Sequence, residues 1–174
     1  LSEDKNCKKN GVIKKFMLFP ILIREYHPSY TQFIAQIYYN TIHRINSLDY
    51  TKEQVDSWAP PECLEIDGWL KRFALNPPIL AFCQDTLVGF AEFEKDGHID
   101  CFYVHHEWIR KGVGTAMMSE ILKRAKKQRI SRIYVEVSIT AKPFFEKNEF
   151  ILLEDYYVIK NGIERKGFKM ERKL

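Results

Sequence analysis

The spacing of hydrophobic positions changes several times along this chain, and each change marks an element. Ile21-Leu22-Ile23, running into Arg24-Glu25-Tyr26, predicts a first strand. His27-Pro28-Ser29 punctuates it. Phe33, Ile34, Ile37, Tyr38, Ile42 and Ile45 then recur at intervals of three and four, the period of a helix. Thr51 reads as the N-cap of a short second helix with Glu53 and Gln54 in its first turn, ended by Pro60-Pro61. A third helix is predicted over 65–75, stopped by Asn76-Pro77-Pro78. From Ile79 the pattern becomes that of strands. Segments 79–84 and 87–94 flank an Asp85-Thr86 turn, and Asp96-Gly97 turns the chain into 98–104. A long helix follows, over about 112–128, with Val113, Met117, Ile121, Leu122 and Ala125 as its buried stripe. Ile133, Val135 and Val137 alternate with Tyr134 and Glu136 in another strand. Thr140 reads as the cap of a short helix through Lys147, and 150–159 with 163–171 forms a hairpin around Asn161-Gly162.

This order describes one α/β domain, residues 17–174, built on a mixed, mostly antiparallel sheet of about seven strands flanked by helices. The step from strand 98–104 through a helix to strand 132–138 is a βαβ crossover, expected to be parallel and right-handed. Residues 1–16 are polar and lysine-rich and read as a disordered leader, with Met17 a candidate start. Lys14-Lys15 and the apolar residues after them imitate a signal sequence. Pro20, Arg24, Glu25 and the lack of a small-residue cleavage site argue for a strand instead. No apolar run is long enough to span a bilayer, so no membrane partner is expected.

Composition adds little. The 174 residues are 45% hydrophobic and 14% aromatic, enough for a packed core. The net charge of +4 is too mild to imply a nucleic-acid partner. Arg110, Lys111, Lys123, Arg124, Lys126, Lys127, Arg129 and Arg132 crowd one segment, but without interleaved aromatics. The later members read as a solvated helix face, and no nucleic acid is expected. Cys7, Cys63, Cys83 and Cys101 have no paired spacing; they read as free thiols in a reducing, cytoplasmic setting. His105-His106-Glu107 are adjacent loop residues, which seldom converge on one ion, so no metal is expected.

The chemistry begins at residues 105–118, "HHEWIRKGVGTAMM". Glycines at the start of a helix let the backbone approach a ligand, and the helix's first amides are unpaired and partly positive. With Arg110 and Lys111 beside them they make a cradle for phosphate oxygens. The text is no P-loop, and Met117 stands where a dinucleotide motif needs its third glycine. Ile109-Arg110-Lys111-Gly112-Val113-Gly114 resembles the signature of the GNAT superfamily of acetyl-CoA-dependent N-acetyltransferases. "GHIDCFYVHHEW" is similar to that family's fourth strand and its bulge. Residues 137–150 are similar to its fifth strand and the helix beyond, and "DYTKEQVDSWAP" resembles the bacterial YafP-like branch. The resemblance spans about residues 20–172. It implies acetyl-CoA as co-substrate and an amine as acceptor. Backbone amides of Arg110, Lys111, Gly112, Val113, Gly114 and Thr115 would hold the diphosphate. The main chain of Phe102, Tyr103 and Val104 would pair with the pantetheine arm, between splayed strands 98–104 and 132–138.

Three positions depart from the family pattern. Ile109 replaces a Gln or Arg, Glu149 replaces a glycine, and Phe145 stands where many members place the tyrosine that protonates the departing thiolate. Tyr103 and Tyr134 are substitutes for that proton donor, or the thiolate leaves unassisted. Direct attack by a primary amine needs a base and a donor near the thioester oxygen, for which the Val104 N–H is a candidate. On strict alternation His98, Asp100, Phe102 and Val104 share a face. Asp100 and Glu92 are the first candidates for the base and His98 the next. Cys101 as an acetyl-accepting nucleophile lacks an evident partner base. Asp49, Glu53, Asp56, Glu62, Glu65 and Asp67 would form an acidic lip drawing a small cationic amine or a peptide amino terminus, with Trp58 and Trp69 as walls. The alternative reading is a non-catalytic acyl-CoA-binding module. Strand 163–171 is a candidate edge for a homodimer.

Overall fold

A computed structural model describes residues 20–174 of the chain. The expected leader at 1–16, with Cys7, lies outside the described residues. Seven strands form one sheet: β1 (Ile21–Glu25), β2 (Ile79–Cys83), β3 (Thr86–Phe93), β4 (His98–Val104), β5 (Arg132–Ser138), β6 (Ile151–Lys160) and β7 (Ile163–Lys173). Their spatial order is β1-β2-β3-β4-β5-β7-β6. Every neighbouring pair is antiparallel except β4 and β5, the two strands joined by the crossover. The helices are α1 (Thr31–Arg44), α2 (Lys52–Trp58), α3 (Ile66–Leu75), α4 (Val113–Gln128) and α5 (Lys142–Lys147).

The sheet separates two cores. On one face Val113, Met117, Met118, Ile121 and Ala125 of α4 and Phe145 of α5 pack on Ile79, Ala81, Ile99, Val135 and Val137. Met118 joins the expected stripe, and Leu122 is only half-buried. On the other face Ile34 and Ile37 of α1 and Trp69 and Phe73 of α3 cover Leu80, Phe82, Phe90 and Cys101. The expected capping of α2 forms: Thr51 accepts from the Gln54 amide, and Gln54 reaches back to the Thr51 amide.

Four details differ from the sequence reading. The β2–β3 turn is Gln84-Asp85, one residue earlier, because Gln84 takes the left-handed conformation (φ +54°) that closes a two-residue hairpin. Thr140 does not cap α5; its hydroxyl donates to Asp49 at 2.7 Å, and Ala141 begins the helix without a side-chain cap. Glu149 adopts φ +66°, so the turn a glycine would make is kept despite the Cβ. Strand β7 is no edge for a dimer, since it bonds to β5 on one side and β6 on the other; the sheet's edges are β1 and β6.

A bulge sets the faces of β4. Glu92 pairs with Cys101 and Phe93 with Ile99, leaving Asp100 as the extra residue. The alternation therefore changes phase there. Ile99, Phe102 and Val104 pack toward α4, while Cys101 and Tyr103 pack toward α1 and α3. Asp100 meets Arg72 of α3, so it does not share a face with Phe102 and Val104 as strict alternation predicts.

Candidate active site

The β4–β5 ladder stops after two pairs, His98 with Tyr134 and Ile99 with Val135. Beyond them the strands part and a groove of about 840 Å³ opens between them. One end is the loop from β4 to α4. The His105 amide donates to Val88, a 3-10 turn spans His106–Trp108, and Arg110 (φ +65°) and Gly112 (φ +84°) both take left-handed conformations. Gly112 has no side chain to cap the 16-residue α4, so the first-turn amides have no partner within the helix. Position 114 requires glycine for space rather than conformation. A Cβ there would lie 3.0 Å from the Phe144 ring.

Phe102, Tyr103, Val104, Arg110, Gly112, Gly114, Thr115 and Phe145 all line this groove. Lys111 and Val113 do not. The Lys111 ammonium sits over the Trp108 ring, and the Val113 side chain is buried in the core, leaving only its amide for the site. Ile109 faces the groove without a polar group. Phe145 is enclosed by Phe102, Phe144 and Phe150 and has no hydroxyl to offer. The Thr41 hydroxyl donates to the Val104 carbonyl at 2.9 Å, tying α1 to the strand end.

A second cavity, of about 670 Å³, lies on the α3 side. Trp58, Asp100, Tyr103, Glu136, Val137 and Ser138 line both spaces and mark where they meet. Asp100 and Glu136 are the residues just beyond the last β4–β5 pair. Trp58 and Trp69 do wall this cavity, and Trp69 also belongs to the core, its Nε1 donating to the Cys63 carbonyl. Of the acidic lip, Glu62 and Glu65 line the cavity. Asp49 accepts from Thr140, and Asp56 is paired with Lys52. Arg72, Lys160, Arg165 and Lys166 line the same space, so it is not an acidic one.

The three candidate bases occupy different surroundings. Glu92 is almost completely buried, with both oxygens on Arg72 (2.8 and 2.6 Å). Burial pushes its proton affinity up, against the pull of that guanidinium. It faces neither cavity and stands behind Arg72. Asp100 shares the same Arg72 Nη2 and is open to both cavities. His98 lies outside both, between Glu94 (3.1 Å) and Glu136 (2.7 Å) and stacked on Tyr134. Burial lowers its affinity for a proton, but the two carboxylates outweigh this and raise it, favouring imidazolium.

The remaining candidates are disposed of by their contacts. Burial pushes the Cys101 thiol well above its ordinary range, which opposes its use as a nucleophile. Tyr134 donates to Asp96, away from the groove, and that bond pushes its phenol up to about 12. Tyr103 lines the groove, but burial pushes its phenol well above the ordinary range. His105 and His106 stack, and with Glu107 bring one ligand atom each within 4.8 Å, closer than adjacent loop histidines were expected to come. The Glu107 amide already occupies His105 Nδ1. The basic run is partly paired: Arg124 with Glu120 and Glu25, and Arg132 with Glu171.

Sequence reasoning missed three residues. Arg72 was counted only within a helix, and Arg165 and Glu136 only within strands. Glu136's place opposite the bulge was readable from the crossover register once the Ile99–Val135 pair was known.

A splayed parallel strand pair, with an amide-rich helix start at one end and a cavity of mixed charge beside it, suits a long thioester carrier meeting a second substrate. The profile of the acetyltransferase (GNAT) domain matches residues 46–174, and the chain belongs to this family of acetyl-CoA-dependent acetyltransferases. It is 29% identical over 153 residues to "Uncharacterized N-acetyltransferase YafP" of Escherichia coli K12, covering 88% of this chain and 96% of that one. A GCN5-related N-acetyltransferase structure from Rhodopseudomonas palustris superposes with a TM-score of 0.83 at 27% identity, covering 88% of this chain and 95% of the other. The PaiA N-acetyltransferase of Thermoplasma acidophilum, solved with coenzyme A, shares the fold at a TM-score of 0.71 and 22% identity, covering 89% and 99%. Among the described residues no helix is long and apolar enough to cross a membrane.

Proposed function

We propose that the protein moves the acetyl group of acetyl-CoA onto a primary amine by direct attack, the acceptor being a small amine or a peptide amino terminus. The observation that supports this most is the junction of the two cavities, where Asp100 and Glu136 stand at the parting of β4 and β5. In this reading the diphosphate rests on the amides around Gly112–Thr115, with Arg110 beside it. Pantetheine runs along the free edge of Phe102–Val104 like an added strand. The Val104 N–H faces the thioester oxygen as charge develops on it.

Asp100 takes the ammonium proton, directly or through water, and the neutral nitrogen attacks the thioester carbon. Arg72 and Glu92 hold Asp100 in place. His98 is a positioning residue for Glu136 in this scheme, since its ring is committed to two carboxylates. With a phenylalanine at position 145 the CoA thiolate departs without help from a phenol. The free thiols of Cys63, Cys83 and Cys101 support a reducing, cytoplasmic setting.

Release of free thiol from acetyl-CoA, followed against a panel of amines, tests the reading. Saturable, amine-dependent release is expected. Tight acetyl-CoA binding with no release in the presence of any amine would replace it with a non-catalytic acyl-CoA module.

A further inference from the structure

The acceptor cavity contains four cationic side chains, and three of them are engaged. Arg72 holds Glu92 and Asp100. Lys166 pairs with Asp155 at 2.6 Å. The Lys160 ammonium reaches the Trp58 carbonyl at 3.4 Å. Arg165 is different. Its guanidinium carbon lies over the Trp58 ring, 3.5 Å from the centroid, and its Nη1 is buried without a hydrogen-bond partner among the described residues. The phenols of Tyr103, Tyr50, Tyr38 and Tyr156 are the ionisable groups that act on it most, and among the described residues it forms no ion pair.

A buried guanidinium with an unused N–H is costly unless something pairs with it. Cation–π contact with Trp58 offsets part of that cost. It leaves the N–H donors, whose planar geometry matches a carboxylate. Trp58 also lines the CoA groove, so Arg165 sits one ring away from the transfer point. The acids lining the same cavity are Asp100, paired with Arg72, Glu136, paired with His98, and Glu62 and Glu65. An ammonium is suited to these carboxylates and an anion to Arg165.

Resting on the acetyltransferase reading above, we propose that the acceptor is a zwitterionic amine whose carboxylate docks on Arg165 while its nitrogen faces Asp100. This narrows the class to amino acids and amino-acid-like compounds and disfavours polyamines, which would bring only positive charge to Arg165.

Matched pairs test it: glycine with methylamine, phenylalanine with phenethylamine, tryptophan with tryptamine, and lysine with cadaverine. Each is assayed by thiol release with wild type, Arg165→Ala and Arg165→Lys, and acetyl-CoA binding is measured by calorimetry. For at least one pair, wild type should favour the acid in kcat/KM by about 10- to 100-fold, the scale of one charge-assisted hydrogen-bonded contact. Arg165→Ala should bring that ratio to near one with acetyl-CoA binding retained, and Arg165→Lys should restore part of it. A purely structural role for Arg165 would lower both members of a pair together and leave the ratio unchanged, which overturns the proposal. So does equal or better turnover of the decarboxylated partners by wild type, an outcome that leaves the acetyltransferase reading standing. Acetyl-CoA binding with no thiol release from any member overturns both.

Discussion

Arg72 holds the buried carboxylate of Glu92 through two parallel hydrogen bonds, from Nε at 2.8 Å and Nη2 at 2.6 Å, and the same Nη2 reaches Asp100. One side chain from α3 thereby joins an acid inside the sheet to the acid at the cavity junction. Removing it leaves Glu92 charged and buried with no partner, which typically costs about 3 kcal/mol. Arg72→Ala should lower the unfolding free energy by that amount, and Arg72→Leu by no less, each read as a lower denaturant midpoint. Glu92→Gln keeps the volume and should cost less. Chemical denaturation of the three variants checks the order, and an undiminished midpoint in Arg72→Ala would show that the pair is not holding α3 to β3.

Asp100 is the only one of the three expected bases that borders both cavities. Asp100→Asn should lower kcat about 10²–10³-fold, within the range of lost general base catalysis, with the acetyl-CoA KM changed less than about threefold. Glu92→Gln should lower kcat less than Asp100→Asn does, because Glu92 faces neither space.

The sheet, its crossover and the glycine-containing loop that opens α4 were legible in the sequence because each rests on local chemistry: period-two runs, a strand followed by a helix, and glycines at a helix start. The location of Asp100 was not. Period-two counting assumes an unbroken ladder, and the bulge at Asp100 moves that residue onto Arg72 while leaving Phe102 facing α4. Nor was the pairing of Arg72 with Glu92, 20 residues away, or the stacking of Arg165 on Trp58 across the fold, since no local pattern links such partners. Thr140 illustrates the same limit. A cap within its own segment competed with Asp49, 91 residues distant, and the distant partner won.

His98 predicts a pH effect on stability. Its proton affinity is raised in the folded state, because Glu136 and Glu94 together outweigh burial. The folded protein therefore binds that proton more tightly than the unfolded chain. The stabilisation is complete below the ordinary histidine range near 6.5 and is lost as pH rises through the higher folded value. The difference in melting temperature between pH 6 and pH 8.5 should be smaller in His98→Gln than in wild type. An imidazole NMR titration with its midpoint at or below the ordinary value would refute the assignment.

Glu149 holds φ +66°, a conformation that costs a residue with a Cβ about 1 kcal/mol. Its bridge to Arg172 at 2.6 Å offsets little, because the Glu149 side chain is 75% exposed. Glu149→Gly relieves the strain but gives the unfolded chain more freedom. The net expectation is a stabilisation of about 0.5 kcal/mol, read as a higher denaturant midpoint with unchanged acetyl-CoA kinetics. Glu149→Ala keeps the strain and should not stabilise.

Gly112 and Gly114 are two residues apart, yet each should fail differently when replaced. At Gly112 a Cβ meets nothing within 4 Å, so the objection is conformational: φ +84° is strained for any side chain. Gly112→Ala should cost about 1 kcal/mol of stability and disturb the amides that begin α4, raising the acetyl-CoA KM a fewfold. Gly114 has no positive φ but no room either. An added Cβ would stand 3.0 and 3.2 Å from two Phe144 ring atoms and 3.6 Å from Phe102, in the wall of the groove. Gly114→Ala requires Phe144 to yield by a few tenths of an ångström. Gly114→Val requires the ring to leave its place, which narrows the channel beside Phe102. The acetyl-CoA KM should therefore rise about tenfold or more in Gly114→Val, with a smaller change in Gly114→Ala. Phe144→Ala in the Gly114→Val background should recover part of the loss by vacating the contested space. If the double variant binds acetyl-CoA no better than Gly114→Val, the obstruction lies elsewhere than the Phe144 ring.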